Sequence, residues 1–208
     1  MIFDKIVLKE NISYIINKKD VLSILGYKRE KTKVSKIFAE KIEKILEQTQ
    51  QKSPAKALYI IRKIEKIEKN TISFFNSEIK IESKDISSLL SESFAVIFMG
   101  ITIGWWIDNK IAELNEKREY NEALIYDAVG SEAVEGAANS LNHHLDIEAR
   151  QNRFTLTKRF SPGYGDLNIS FQRELYKELS LENLDIKILP TNLLLPQKTI
   201  TAIIGVEK

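Results

Sequence analysis

The fourteen residues from Phe94 to Ile107, FAVIFMGITIGWWI, carry no charge and form the longest apolar run in the chain. A membrane-spanning helix needs about 18 such residues, so this run is expected to be buried inside the protein instead. Gly100, Thr102 and Gly104 interrupt it and disfavour a helix, whereas Val96, Ile97, Phe98, Ile101 and Ile103 suit a strand. Ala95–Ile103 is therefore expected as a central buried strand that runs into a turn at Gly104.

The flanking sequence mixes helical and strand periodicities. Asn17 is placed to cap a short helix over Lys18–Leu25, with Asp20 in its first turn and Gly26 as a stop. Phe38, Ile42, Ile45 and Thr49 recur at helical spacing, which predicts an amphipathic helix over residues 34–49. Lys56–Lys69 reads both ways: Ile60, Ile64 and Ile67 have the spacing of a helix, and the β-branched content suits a strand. Ile72 and Phe74, then Ile79 and Ile81, alternate on either side of Asn76-Ser77, as in a hairpin. Ser83 can cap a helix reaching Leu90. Beyond Gly104, Ile107, Ile111 and Leu114 mark another helix. A longer one covers about residues 120–145, with Tyr126, Val129, Ala133, Ala137 and Leu141 on one stripe. Its small residues Gly130, Gly136 and Ala138 let a backbone approach closely, whether that of another helix or a ligand.

Phe154, Leu156 and Phe160 predict a strand entering the segment RFSPGYGD (159–166). A helix capped by Ser170 follows, and then strands over Asp185–Leu189 and Thr199–Val206. Helices and strands do not alternate strictly, which points to an α+β protein. No linker rich in Pro, Gly or Ser divides residues 1–208, so one domain is expected.

Composition excludes several chemistries. There is no Cys, so disulfides, thiolate metal sites and Cys nucleophiles are ruled out, and the only two His residues are the adjacent His143 and His144. No metal site is expected. The start, MIFDKIVLKE, lacks the apolar core of a secretory leader, and a cytoplasmic location without membrane association is expected. Residues 1–70 hold 17 Lys/Arg and 9 Asp/Glu, or +8, and the remainder holds 14 and 20, or −6. The lysines alternate with glutamates, as at Lys41–Lys44, which fits a solvated helix face better than a nucleic-acid surface.

The residues richest in chemical possibility lie at 159–166. Ser161-Pro162-Gly163-Tyr164 fits a type II turn, with Pro fixing the first central residue and Gly supplying the positive φ of the second. Arg159 offers a planar fork matched to a carboxylate or phosphate. Tyr164 adds an aromatic face and a hydroxyl, and Gly165 adds backbone access. On these residues alone the segment is either a ligand loop or a plain surface turn. Three other groups have two readings each. His143-His144 is a metal or proton-transfer pair, or else a solvated helix end. Trp105-Trp106 is a stacking platform or core packing. Asp127 and Asp166 are catalytic carboxylates, or else caps and salt-bridge partners.

Several segments in order carry a resemblance: FAVIFMGITIG (94–104), YDAVGSEAVEGAANSL (126–141), RFSPGYGD (159–166), Gln172 and LLLPQKTITAIIGV (193–206). Over residues 94–206 the chain resembles the activation domain of cobalamin-dependent methionine synthase, in its small stand-alone bacterial form. Residues 1–90 match less distinctly, mainly through NKKDVLSILGYK (17–28). The family's loop pattern Arg-x-x-x-Gly-Tyr falls on Arg159, Gly163 and Tyr164.

The resemblance implies a twisted antiparallel sheet flanked by helices and a shallow site for S-adenosylmethionine. Arg159 would pair with the methionine carboxylate and Glu135 would lie near the amino group. The backbone around Ser161, Gly163 and Tyr164 would hold the adenosine end. It implies no catalytic acid or base, because the sulfonium is already a good leaving group. It also implies a role in returning cob(II)alamin to its methylated state with an electron donor such as flavodoxin. No Asp-x-His-x-x-Gly signature is present, so the cobalamin would come on a partner protein: a cobalamin-binding methionine synthase lacking its own activation domain, or a related corrinoid methyltransferase. The family's aromatic segment after the last strand has no counterpart here. Its acidic residue near the start has only Glu10 and Asp20 as candidates. A third reading is a protein-interaction module that keeps the fold without the ligand.

Overall fold

The apolar run becomes β5 (Ser93–Thr102), the strand on which the rest of the chain is organised. The computed structural model describes residues 1–28 and 32–208. In chain order the other elements are β1 (Val7–Ile12), α1 (Lys18–Ile24), α2 (Lys36–Lys52), β2 (Ala55–Glu68), β3 (Thr71–Phe74), β4 (Lys80–Glu82) and α3 (Lys84–Leu89) before β5. After it come α4 (Trp106–Glu116), α5 (Tyr120–Gln151), β6 (Thr155–Leu156), α6 (Gln172–Glu178), β7 (Lys187–Ile188), β8 (Leu194–Leu195) and β9 (Thr199–Glu207). The main sheet is antiparallel, in the order β4-β3-β2-β5-β9-β6. β1 pairs with the first half of β2 along the edge that β3 occupies farther on. The fold is α+β, as expected.

β5 is apolar from Phe94 to Ile101 because helices cover both of its faces. Ala95, Ile97, Met99 and Ile101 join Tyr59, Ile61, Ala202 and Ile204 under α1, α2, α4 and α5. Val96 and Phe98 point the other way, to Leu58, Ile60 and Ile203 and to Phe171, Leu175 and Leu181 near α6. Gly100 faces that second layer, where a Cβ would lie 2.6 Å from Leu181 Cδ2.

Asn17 caps α1 as expected, its side chain accepting from the Lys19 N–H at 3.0 Å, and Ser35 and Ser83 cap α2 and α3. The segment Lys56–Lys69 resolves as strand. Five expectations change. The amphipathic helix continues from residue 49 to Lys52. The long helix continues to Gln151, because Leu145 and Ala149 extend its buried stripe. The strand expected over Phe154–Phe160 shrinks to Thr155–Leu156 and one bridge from Phe160 to Ile203. Asn168, not Ser170, caps the next helical segment, its Oδ1 accepting from the Ser170 N–H at 2.8 Å. Asp185–Leu189 keeps only Lys187–Ile188 as strand, paired with Leu194–Leu195 outside the main sheet, since Asp185 takes a left-handed φ of 58°. β1 was not visible in the pattern. Among the described residues no helix is long and apolar enough to cross a membrane.

Candidate functional site

The exposed side of α5 carries Glu135 and Asn139, four residues apart and therefore neighbours on one helix face. Both reach Arg159. Its Nη2 donates to Asn139 Oδ1 at 2.8 Å and to Glu135 Oε2 at 3.3 Å. The base of the arginine is fixed by the sheet, because the next residue, Phe160, exchanges backbone hydrogen bonds of 2.9 and 2.8 Å with Ile203 of β9. The guanidinium is largely covered, at 21% exposure, and its Nη1 is buried with no hydrogen-bond partner among the described residues. Glu135 is the more open partner, at 56%.

Ser161-Pro162-Gly163-Tyr164 closes as the expected turn: the Tyr164 N–H donates to the Ser161 carbonyl at 3.3 Å, and Gly163 has a φ of 92°. That φ belongs to the second central position of a type II turn and favours glycine. The loop then folds back on itself. The Gly163 N–H donates to the Leu167 carbonyl at 2.8 Å, and the Leu167 N–H to the Tyr164 carbonyl at 3.1 Å. The amides of Gly163 and Tyr164 are thus engaged internally, and the exposed backbone of the turn lies at Gly163, Tyr164 and Gly165. The Tyr164 ring stands out at 70% exposure.

The far end of the loop is tied to the start of α3. The Asp166 carboxylate accepts from the Ser83 hydroxyl and from the N–H groups of Lys84 at 2.7 Å and Asp85 at 3.3 Å. In return, Asp85 Oδ2 accepts from the Asp166 N–H at 3.3 Å. The Ser83 hydroxyl, assisted by these amides, holds the Asp166 carboxyl below the ordinary 3.8 of an aspartate. Asp166 is therefore a capping residue, the simpler of its two readings.

The N-terminal segment completes the surroundings. It crosses α5 at Gly136, where an added Cβ would sit 2.3 Å from the Ile15 carbonyl oxygen. At Gly136 the close approach expected of another helix or a ligand is made instead by a non-helical segment of the chain. The crossing sets α1 beside Glu132, whose carboxyl is raised by burial and by the charges of Asp20 and Glu135, against the opposing Asn17 N–H. Of the two acidic candidates near the start, Asp20 therefore belongs to this end of α5. Glu10 lies in an ion pair with Lys56 of β2, at 2.8 Å.

The remaining candidates fall outside this cluster. Asp127 pairs with Lys198 at 2.6 Å. Trp105 donates its indole N–H to the Asp185 carbonyl at 3.1 Å, and Trp106 packs edge-on against Tyr126. His143 and His144 lie on the exposed face of α5, well before its end, with the Lys9 ammonium 3.1 Å from His144 Nε2. Among the described residues no group of three His, Asp or Glu side chains is disposed to hold a metal. Asn139 was not singled out in the sequence, although its spacing from Glu135 was a readable signal.

No family pattern and no curated protein matches the sequence. Among solved structures, the fold is similar to the crystal structure of the MetH reactivation domain bound to AdoHcy, with a TM-score of 0.66 at 9% identity. The similarity covers 97% of this chain and 78% of that one.

Proposed function

We propose that this chain binds S-adenosylmethionine at Arg159, Glu135 and the 161–164 turn, and presents its methyl group to a cobalamin carried by another protein. The observation that carries the reading is the pairing of a covered guanidinium with an open carboxylate beside a glycine turn. An amino acid is a zwitterion and needs one cation and one anion close together. Arg159 would take the methionine carboxylate at the Nη2 that Glu135 gives up. Glu135 would turn from Arg159 to the ammonium group, so the resting ion pair is exchanged for two pairs with the ligand. The carbonyl of the exposed Gly163 suits the amino edge of an adenine. The fold supports the reading, since the similar reactivation domain holds AdoHcy.

S-adenosylmethionine supplies a methyl group on a sulfonium that leaves as a neutral thioether. No side chain of this protein has to move a proton; the residues bind and orient. Asn139 holds the guanidinium plane, and Asp166 holds the loop against α3. The expected partner is a methionine synthase lacking its own activation domain, with an electron donor such as flavodoxin. Another corrinoid methyltransferase would use the same surface, and a pull-down from the native cell extract separates the two. Titration calorimetry tests the ligand. Saturable heat with S-adenosylmethionine that Arg159→Ala removes supports the proposal. Absence of heat from the folded wild type overturns it.

A further inference from the structure

A cleft lies on the side of α5 away from Arg159, between α2, α4 and the start of α5, with a volume of about 440 Å³. That is within the usual range for a small-molecule site, about 300–1,000 Å³. Lys41, Lys44 and Lys52 of α2 and Lys110 of α4 line it, against the two carboxylates of Glu113 and Glu122. Lys41 pairs with Glu122, while Glu113 is shared between Lys110 at 3.0 Å and Lys117 at 2.5 Å. Among the described residues, Lys44 and Lys52 have no ion-pair partner. The cleft is therefore rich in uncompensated cations.

Its wall is aromatic. Trp106 and Tyr126 meet edge to face with centroids 5.8 Å apart, and the Tyr126 hydroxyl donates to Gln48 Oε1 at 2.7 Å. The Lys52 ammonium rests 5.6 Å from the centre of the Trp106 ring. A lysine on a flexible stem leaves such a position readily when a stronger anion is present. Its departure bares the indole face. Lys52 and Trp106 also line an adjoining depression of about 300 Å³ that continues past Trp105 to Lys56, so the cleft has room to extend.

We infer that this cleft binds a small anion with a planar ring, and that a phosphorylated nucleoside is the ligand class that fits it. The phosphates would lie among Lys44, Lys52 and Lys110, and the base would lie against Trp106. The site is independent of Arg159. At about 1.5 Å per residue, Tyr126 and Glu135 lie about 14 Å apart along α5, and the helical turn sets them on opposite faces.

Tryptophan fluorescence titration of the full chain at low salt, with ADP, UDP and inorganic phosphate, tests the inference. Saturable quenching is expected with both nucleotides, and the Lys44→Glu/Lys52→Glu variant should bind them about tenfold or more weakly. Arg159→Ala should bind them as the wild type does, and inorganic phosphate should bind more weakly than either nucleotide. Both lysines are exposed, so circular dichroism of the double variant should match the wild type. Any of four results overturns the inference: no saturable signal, indifference to the lysine changes, loss of binding in Arg159→Ala, or phosphate binding as tightly as the nucleotides.

Discussion

The Arg159 cluster and the lysine cleft along α5 hold their cations in different ways. Arg159 is clamped: Asn139 and Glu135 fix the guanidinium, Phe160 fixes its backbone, and a doubly closed turn stands beside it. Of the lysines opposite, Lys41 and Lys110 are ion-paired to single carboxylates, whereas Lys44 and Lys52 have no ion-pair partner among the described residues and Lys52 is laid over an indole. A clamped planar cation selects for geometry, whereas loose ammonium groups select for charge. One molecule thus carries a site organised for one shape and another organised for one sign.

The change that breaks this contrast most severely is Arg159→Lys. It keeps the charge and removes the fork. Losing charge-assisted hydrogen bonds costs about 1.5–3 kcal/mol, so S-adenosylmethionine should bind roughly 10–100-fold more weakly by calorimetry. If the lysine binds equally well, geometry is not what the site selects. Next in size is Gly136→Ala. Its Cβ meets a backbone oxygen that cannot swing aside, and overpacking of this kind costs about 1–3 kcal/mol in urea denaturation. Ligand binding at Arg159 should weaken with it, while the lysine cleft should be spared.

Asn139→Ala is expected to be milder. It frees the guanidinium without removing it, and about a tenfold loss of S-adenosylmethionine affinity is expected from one neutral partner. Salt sharpens the contrast without mutation. Raising it from about 0.05 to 0.5 M shortens the screening length severalfold, so nucleotide binding among the exposed lysines should fall more than binding at the covered Arg159. The smallest effect belongs to Asp166. Its carboxyl is depressed in the fold, so its contribution to stability is present above the ordinary value of 3.8 and is lost as pH falls through its own lower value. The melting-temperature gap between wild type and Asp166→Asn should be steady down to about pH 5 and close under more acid conditions.

Much of the fold was legible because burial left simple patterns. β5 read as a central strand since both of its faces are covered. β2 did not, for a physical reason. Ile60 and Ile64 share one face, and a register shift between Ile64 and Lys66 passes that face to Ile67. A bulge in a strand thus produced the four-and-three spacing of a helix. β1 was hidden because only one of its sides is covered and Lys9 and Glu10 break its alternation. At the site, the turn and Arg159 were readable from local chemistry. The i, i+4 spacing puts Asn139 beside Glu135, but that Arg159 reaches both, and that the N-terminal segment crosses at Gly136, depend on which segments meet in space.

The way β2 shares its outer edge has a consequence for solubility. A fourteen-residue strand with one open side would be a template for another chain. Here β1 and β3 lie end to end along it. β4 has three residues and β6 has two, while β1 carries charges and an irregular register before Ile12. The longest strand of the sheet has both edges paired, so its backbone offers no free template to another chain.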